Sequence, residues 1–342
     1  MEGRSTVYNK ITTEEKIKQI NPENTQLSKD FLDYLASIDR SPQTILAYNS
    51  DLEIFFVWNL EENANKEFIK ISKRDFARFQ NHALNVWKWS PRRIRRVKST
   101  LSSLSNYITS MLDEEEGYED YRSIIRKIES PANEAVREKT VLSTKQVQRL
   151  LDELVKREEY DKAVCIAILA YSGMRKAELL QMKMEYFTPD HLEFGCLYKT
   201  DRVRAKGRGT RGKQINKYVM NKVDAYMDLW RKKREELGID SEWVLVIKRG
   251  DIWEQRTDIE GWKDEFTQIL GCPFYYHALR HALCTELVDM NIPAEVIREY
   301  FGWADVSLIQ IYNDKSAVDS FGKYFSADGI IQQENKGIAD IK

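Results

Sequence analysis

Apolar residues recur at helical spacing from Leu27 onward, and the polar residues between them mark where each helix begins. Leu27, Phe31, Tyr34, Leu35 and Ile38 share one face of a first helix. Ser41-Pro42 supplies an N-cap followed by proline at the first helical position, and Ile45, Tyr48, Leu52, Phe55 and Phe56 repeat behind it. Ser72-x-x-Asp75 opens a third helix around Phe76, Phe79 and Leu84, with Asp in place of the Glu of a capping box. Ser90-Pro91 opens a fourth, with Ile94, Val97, Leu101, Leu104 and Ile108 inward. Four helices with short joins predict a helical unit over residues 25–128. Ahead of it, the polar and weakly patterned residues 1–24 read as a flexible arm.

An acidic run, Asp113 to Asp120, follows the fourth helix, and residues 129–141 lack any apolar period, as an interdomain linker would. Ser143-x-x-Gln146 is a capping box ahead of Val147, Leu150, Leu151 and Leu154. A strongly apolar helix, Tyr160 to Tyr171, ends at Gly173, and another starts near Lys176. Residues 191–199 and 214–220 read as two strands flanking a basic loop, and Trp243–Lys248 as a short strand between later helices. From Tyr276 the chain is helical in three pieces, broken at Asn291-Ile-Pro293 and at Phe301-Gly302, the last capped by Asp305. The predicted fold is mostly α with a small β-sheet: a four-helix N-terminal unit, an α+β unit over 142–326 and a tail over 327–342.

Composition changes this picture little. A chain of 342 residues favours two domains, and sparse Gly (15) and Pro (7) favour helix. The four cysteines show no C-x-x-C spacing and sit in apolar segments, as reduced thiols of a cytoplasmic protein do. The longest apolar stretches, such as Ala163–Tyr171, are too short to span a bilayer, so no membrane partner is expected. The first residues form no apolar leader, which predicts that the protein is not secreted.

The net charge of −1 hides strong segregation. Lys88, Arg92, Arg93, Arg95, Arg96 and Lys98 fall in one run without an acidic residue. A second run leads from Lys199 through Arg202, Arg204, Lys206, Arg208, Arg211 and Lys213 to Lys217, with one acid, Asp201, and three glycines. One charge run is ordinarily a solvated face. Two of them, one per predicted unit, point to the phosphates of duplex DNA. Opposed patches on two lobes would suit a C-shaped clamp.

Candidate chemistry lies in residues far apart in sequence. Arg175 follows a helix-ending glycine, and alone it would be an ordinary surface arginine. In His277-Ala-Leu-Arg280-His281 the first histidine and the arginine share a helix face. Two of the chain's four histidines lie in those five residues. A zinc site on His277 and His281 is disfavoured, because no Glu follows His277 and Arg280 would repel a cation. Trp303 adds an indole N–H, and Tyr312, one of seventeen tyrosines, sits in an apolar segment where a core role is the ordinary one. Taken together, two guanidiniums, an imidazole and an indole N–H can all donate to one phosphate, beside a phenol able to attack it.

The order of these motifs resembles the tyrosine recombinase (phage integrase) family, in its two-domain, Xer-like form. The family carries T/S-G-x-R-x-x-E-L, then H-x-L-R-H, then L-G-H/W followed nine residues later by tyrosine. Here these read Ser172-Gly-Met-Arg175-Lys-Ala-Glu178-Leu, His277-Ala-Leu-Arg280-His281, and Phe301-Gly302-Trp303 with Tyr312. Phe301 departs from the usual Leu, Trp303 from the common His, and Ile309 from the usual Thr. The resemblance covers roughly Leu27 to Phe325 and implies a helical core-binding (SAM-like) domain ahead of the catalytic one.

It also implies roles. Tyr312 would attack the scissile phosphate to give a 3′-phosphotyrosyl enzyme and a free 5′-hydroxyl. Arg175 and Arg280 would brace the non-bridging oxygens, His277 would manage the tyrosine's proton, and Trp303 would donate to a phosphate oxygen. A hairpin lysine would protonate the leaving oxygen; Lys199 matches best, with Lys206 the alternative. Glu178 and His281 would support the site. Neither ATP, metal nor other cofactor is implied. The expected partners are double-stranded DNA bearing specific sites, three further copies of the chain in a tetramer on paired sites, and accessory DNA-bending or directionality factors. The expected location is the cytoplasm, at the nucleoid. Two other readings stay open: a type IB topoisomerase-like relaxing enzyme, and a catalytically silent DNA-binding protein on the same fold.

Overall fold

Three X-Pro entries begin the helices of the N-terminal unit, because proline fixes the first helical φ while the preceding side chain caps a free N–H. The computed structural model describes residues 11–132, 142–205, 214–311, 325–326 and 329–330. Contacts among them divide the chain into one unit up to residue 132 and another from residue 142. Most described residues are helical and the strands are short. Among the described residues no helix is long and apolar enough to cross a membrane.

The first unit contains α1 (Glu14–Lys18), α2 (Pro22–Ser37), α3 (Pro42–Glu62), α4 (Lys73–Asn85) and α5 (Pro91–Met111). Asn21, Ser41 and Ser90 cap the helices whose first residue is proline, and Ser72 with Asp75 forms a complete capping box on α4. The core is aromatic: Phe55 meets Phe79 edge-on at 5.0 Å, and Trp58 meets Phe79 at 5.3 Å. Leu84 is exposed on α4, and Ala83 takes the buried place instead. Residues 11–24, read as part of a flexible arm, are ordered as α1 and the start of α2. Ile20 is buried there, and Asn21 donates from its amide N–H to Asn65 Oδ1 at 2.9 Å and from Nδ2 to the Asn65 carbonyl at 3.1 Å. The polar composition conceals this anchorage because amide side chains supply it.

The second unit is built around α7 (Tyr160–Ser172), whose residues from Ala163 to Ala170 are all buried. An all-round apolar helix belongs at a centre. Around it pack α6 (Thr144–Lys156), α9 (Asp224–Glu236), α11 (Tyr276–Asp289) and the strand β5 (Tyr218–Met220). Shorter helices α8 (Lys176–Leu179), α10 (Lys263–Leu270) and α12 (Ala294–Phe301) complete the helical set.

The segment 191–199, expected as one strand, is a hairpin of β1 (Leu192–Glu193) and β2 (Leu197–Lys199). Phe194 and Gly195 both take positive φ, 54° and 67°, in its turn. Strand β5 pairs antiparallel with β2, with Lys199 opposite Tyr218. The segment 214–220 is likewise interrupted: β3 (Val203–Arg204) pairs with β4 (Gln214–Ile215) as a separate ribbon. Strands β6 (Val246–Arg249) and β7 (Ile252–Gln255) form a third hairpin. After α12, residues Val306–Ile311 form a 3₁₀ turn rather than the expected α-helix, with the Ser307 amide donating to Asp305 Oδ1 at 2.8 Å. Strands β8 (Phe325–Ser326) and β9 (Gly329–Ile330) pair beyond it.

Candidate active site

Two helix C-caps and two helix starts meet in the second unit. Gly173 ends α7 with φ +59°, and Gly302 ends α12 with φ +65°, conformations in which glycine carries no steric cost. Their lack of a side chain also admits neighbours. A Cβ on Gly173 would lie 2.1 Å from the edge of the Phe301 ring, and one on Gly302 would lie 2.5 Å from Ile215 Cδ1. Phe301 is thus seated against the α7 terminus, with Trp303 stacked on it at 4.6 Å and 13°.

Arg280 reaches this junction from the second turn of α11. Its Nη1 donates to the Gly173 carbonyl, 107 positions away in the chain, and Nη2 donates to the Phe301 carbonyl at 3.4 Å. Its guanidinium carbon lies 4.7 Å from the Phe301 ring centre and 5.1 Å from that of Trp303. Both rings therefore present π-faces to a buried cation. Arg175, two residues after Gly173, stands at the start of α8 and is partly exposed. Glu178 reaches back to the Arg175 amide at 2.8 Å, and Arg175 Nη1 donates to Glu178 Oε1 at 2.9 Å. The two arginines are thereby held at one place by elements distant in sequence.

His277 is exposed on α11, and its ring meets that of buried His281 edge-on at 5.0 Å. Among the described residues no three His, Cys, Asp or Glu side chains gather as a metal-ligand set. Two tyrosines that adjoin the site are committed elsewhere. Tyr276 donates its hydroxyl to the Ile259 carbonyl, and Tyr300 donates to the Tyr171 carbonyl. Burial pushes both phenols well above their ordinary pKa, which makes them poor nucleophiles. Tyr312 lies outside the described residues, as do Lys206, Arg208, Arg211 and Lys213.

Lys199, at the end of β2, pairs with Glu193 at 2.8 Å, and that hydrogen bond and charge hold its pKa above the usual lysine value. A different lysine is gathered into the site. Lys217, read only as the end of a basic run, is 1% exposed and lies 2.9 Å from Glu178 Oε2. Burial pushes the Glu178 carboxyl up, but the Lys217 charge and the Arg175 amide outweigh it and leave the pKa below the ordinary range. For Lys217, burial lowers the pKa despite Glu178, and the charges of Arg280 and Arg175 lower it further. Period-2 alternation was the available signal, since Lys217 shares strand parity with Ile215 and buried Val219.

The basic run of the first unit is not an open array of cations. Arg93 and Arg96 converge on fully buried Asp51, at 2.7 Å and at 2.9 and 3.0 Å, with the Thr100 hydroxyl donating to the same carboxylate at 3.1 Å. Arg95 donates twice to the Pro131 carbonyl, and Lys98 donates to the Ile128 carbonyl and to Ser130 Oγ. Lys88 and Arg92 are exposed. The run lacks an acid of its own because α3 supplies one: Asp51 stands one turn from Tyr48 and from Phe55 on the buried face of that helix. In the second unit Arg202 and Arg204 are exposed beside the β3–β4 ribbon.

Comparison with known proteins places this geometry. A model of the phage integrase family matches residues 140–318. An SPbeta prophage-derived recombinase-like protein, YomM, of Bacillus subtilis (strain 168) is 29% identical over 295 residues, covering 84% of this chain and 86% of that protein. A tyrosine recombinase of Thermosipho africanus (strain TCF52B) is 26% identical, covering 82% and 92%. Among solved structures, the XerH site-specific recombinase bound to palindromic difH substrate superposes with a TM-score of 0.62 at 18% identity, covering 93% of this chain and 90% of that one. A lambda integrase tetramer bound to a Holliday junction gives 0.59 at 13% identity, covering 86% and 80%.

Proposed function

The chain belongs to the phage integrase family of tyrosine recombinases, and from that membership we propose that it cleaves and rejoins DNA at specific sites through a covalent tyrosyl intermediate. The observation that carries this reading is the meeting of Arg175 and Arg280. Arg280 donates to the carbonyl two residues before Arg175 and lies beside Trp303, Arg175 pairs with Glu178, and Lys217 joins Glu178 to the Phe301 carbonyl that Arg280 also uses. Such a cluster suits an anion whose charge grows during reaction.

In the proposed reaction the Tyr312 phenol oxygen forms a bond to phosphorus as the phosphorus–O5′ bond breaks. The phenol proton passes to His277, whose exposed ring can receive it. The leaving 5′-oxygen takes a proton and departs as a free hydroxyl, and the reverse step rejoins a strand. The phosphotyrosyl bond conserves the energy of the broken linkage, so ATP has no part to play. For the proton donor, Lys199 at the end of β2 is the first candidate and would leave its 2.8 Å pair with Glu193 to reach the 5′-oxygen, with Lys206 the alternative. Lys88 and Arg92 of the first unit and Arg202 and Arg204 of the second would contact the DNA backbone, which positions a duplex without reading its sequence. A tetramer of this chain on paired sites is the assembly such exchange requires, and accessory DNA-bending or directionality factors would act on that assembly.

The test is a nicked suicide duplex, which traps a covalent adduct once the short fragment leaves. An adduct together with strand exchange between two sites supports recombination. Relaxation of arbitrary plasmid without exchange would assign the protein to topoisomerase chemistry, and binding without any adduct would make it a silent DNA-binding relative.

A further inference from the structure

The Lys217 ammonium is engaged by two protein partners, and each of those partners also holds a phosphate-site arginine. Its Nζ lies 2.9 Å from Glu178 Oε2 and donates to the Phe301 carbonyl at 3.2 Å. Glu178 takes the Arg175 guanidinium on its other oxygen, and the Phe301 carbonyl also accepts from Arg280. The contact is tight: a Cβ on Gly302, the residue after Phe301, would lie 3.5 Å from Lys217 Nζ.

We propose that Lys217 is a positioning residue of the phosphate site, joining Arg175 through Glu178 to Arg280 through the Phe301 carbonyl, and balancing the Glu178 charge. Without the ammonium, a buried carboxylate beside Arg175 would form a neutral pair with it and withdraw that arginine from the substrate. With it, both guanidiniums keep their charge for the phosphate. The carboxylate then acts as a rigid bracket, orienting Arg175 through its side chain and its backbone amide together. This proposal rests on the recombinase reading above.

Lys217→Met, Glu178→Gln and the double variant, each in the full chain, test it. Single-turnover cleavage of a nicked suicide duplex at saturating protein reports orientation. Duplex affinity and the affinity for inorganic phosphate by calorimetry report binding. Lys217→Met is expected to slow cleavage about 10- to 100-fold, the usual cost of losing an outer partner. Duplex affinity should stay within about threefold, because other contacts dominate it. The double variant, with no stranded carboxylate, should cleave faster than Lys217→Met alone. A folded Lys217→Met protein cleaving at the wild-type rate, or a double variant no faster than the single one, overturns the proposal. Should Lys217→Met not fold, Lys217→Arg decides: slowed cleavage with unchanged duplex affinity supports positioning, and an unchanged rate overturns it. If the wild-type protein forms no adduct at all, the recombinase reading fails separately. Phosphate calorimetry then decides this proposal, and equal affinities in wild type and variant overturn it.

Discussion

Replacing Gly173 by alanine tests whether the α7 terminus and the Phe301 ring form the seat of the site. Two costs add. The left-handed conformation at φ +59° costs an L-residue about 1–2 kcal/mol. The new methyl would also lie 2.1 Å from Phe301 Cε1 and 2.9 Å from two further ring atoms. The ring must shift to make room, and intrusion of this kind costs about 1–3 kcal/mol. Gly271→Ala is the internal control, because Gly271 ends α10 at φ +68° with nothing within 4 Å of a Cβ. It should show only the backbone cost. Urea unfolding followed by intrinsic fluorescence, fitted to two transitions for the two units, should place Gly173→Ala below Gly271→Ala by about 1–3 kcal/mol. Because Phe301 carries both the Arg280 contact and the Trp303 stack, Gly173→Ala should also slow cleavage, by about 5- to 150-fold where the whole ring-shift cost falls on the transition state at about 1.4 kcal/mol per factor of ten. Gly271→Ala should leave the rate unchanged. Equal stabilities and equal rates for the two variants would refute the argument.

Asp51→Asn keeps the shape of the α3–α5 contact but removes the charge that gathers Arg93 and Arg96. Both arginines are partly exposed and can turn to water, so the first unit should lose about 1–3 kcal/mol, read by urea denaturation. Acid stability should carry the mark of Glu178. Its folded pKa lies below the ordinary 4.5, so its contribution is present above that value and is lost as pH falls through the folded pKa. Thermal melts below about pH 4.5 should therefore flatten in Glu178→Gln relative to wild type. Lys199→Ala should slow cleavage more than Lys206→Ala; the reverse order would move the proton-donor role to Lys206.

Cap chemistry made the helices of the first unit legible: Ser41-Pro42, Ser72 with Asp75, and Ser90-Pro91 each start a helix at the residue the pattern predicts. Period alone misplaced other features. Residues 191–199 alternate like one strand, but Phe194 and Gly195 turn the chain back, and a phenylalanine at positive φ gives no warning in a sequence. The basic run at Lys88–Lys98 looked unpaired because Asp51 lies on another helix. Arg175, His277, Arg280 and Trp303 were recognised through motif order, which stands in for the contacts that the Gly173 and Phe301 carbonyls actually make. Lys217 escaped because its burial depends on Glu178 and on the end of α12, neither adjacent in sequence.

The proposed reaction puts the DNA on Tyr312, while Tyr276 and Tyr300 donate their hydroxyls to backbone carbonyls. Trapping the suicide-substrate adduct, digesting it with trypsin and sequencing the nucleotide-bearing peptide by mass spectrometry tests this directly. The account predicts a 3′-phosphoryl nucleotide on Tyr312 within the peptide Glu299–Lys315, and no adduct from Tyr312→Phe. A nucleotide on Tyr300 or any other residue, a 5′-linkage, or an adduct that survives Tyr312→Phe would contradict it.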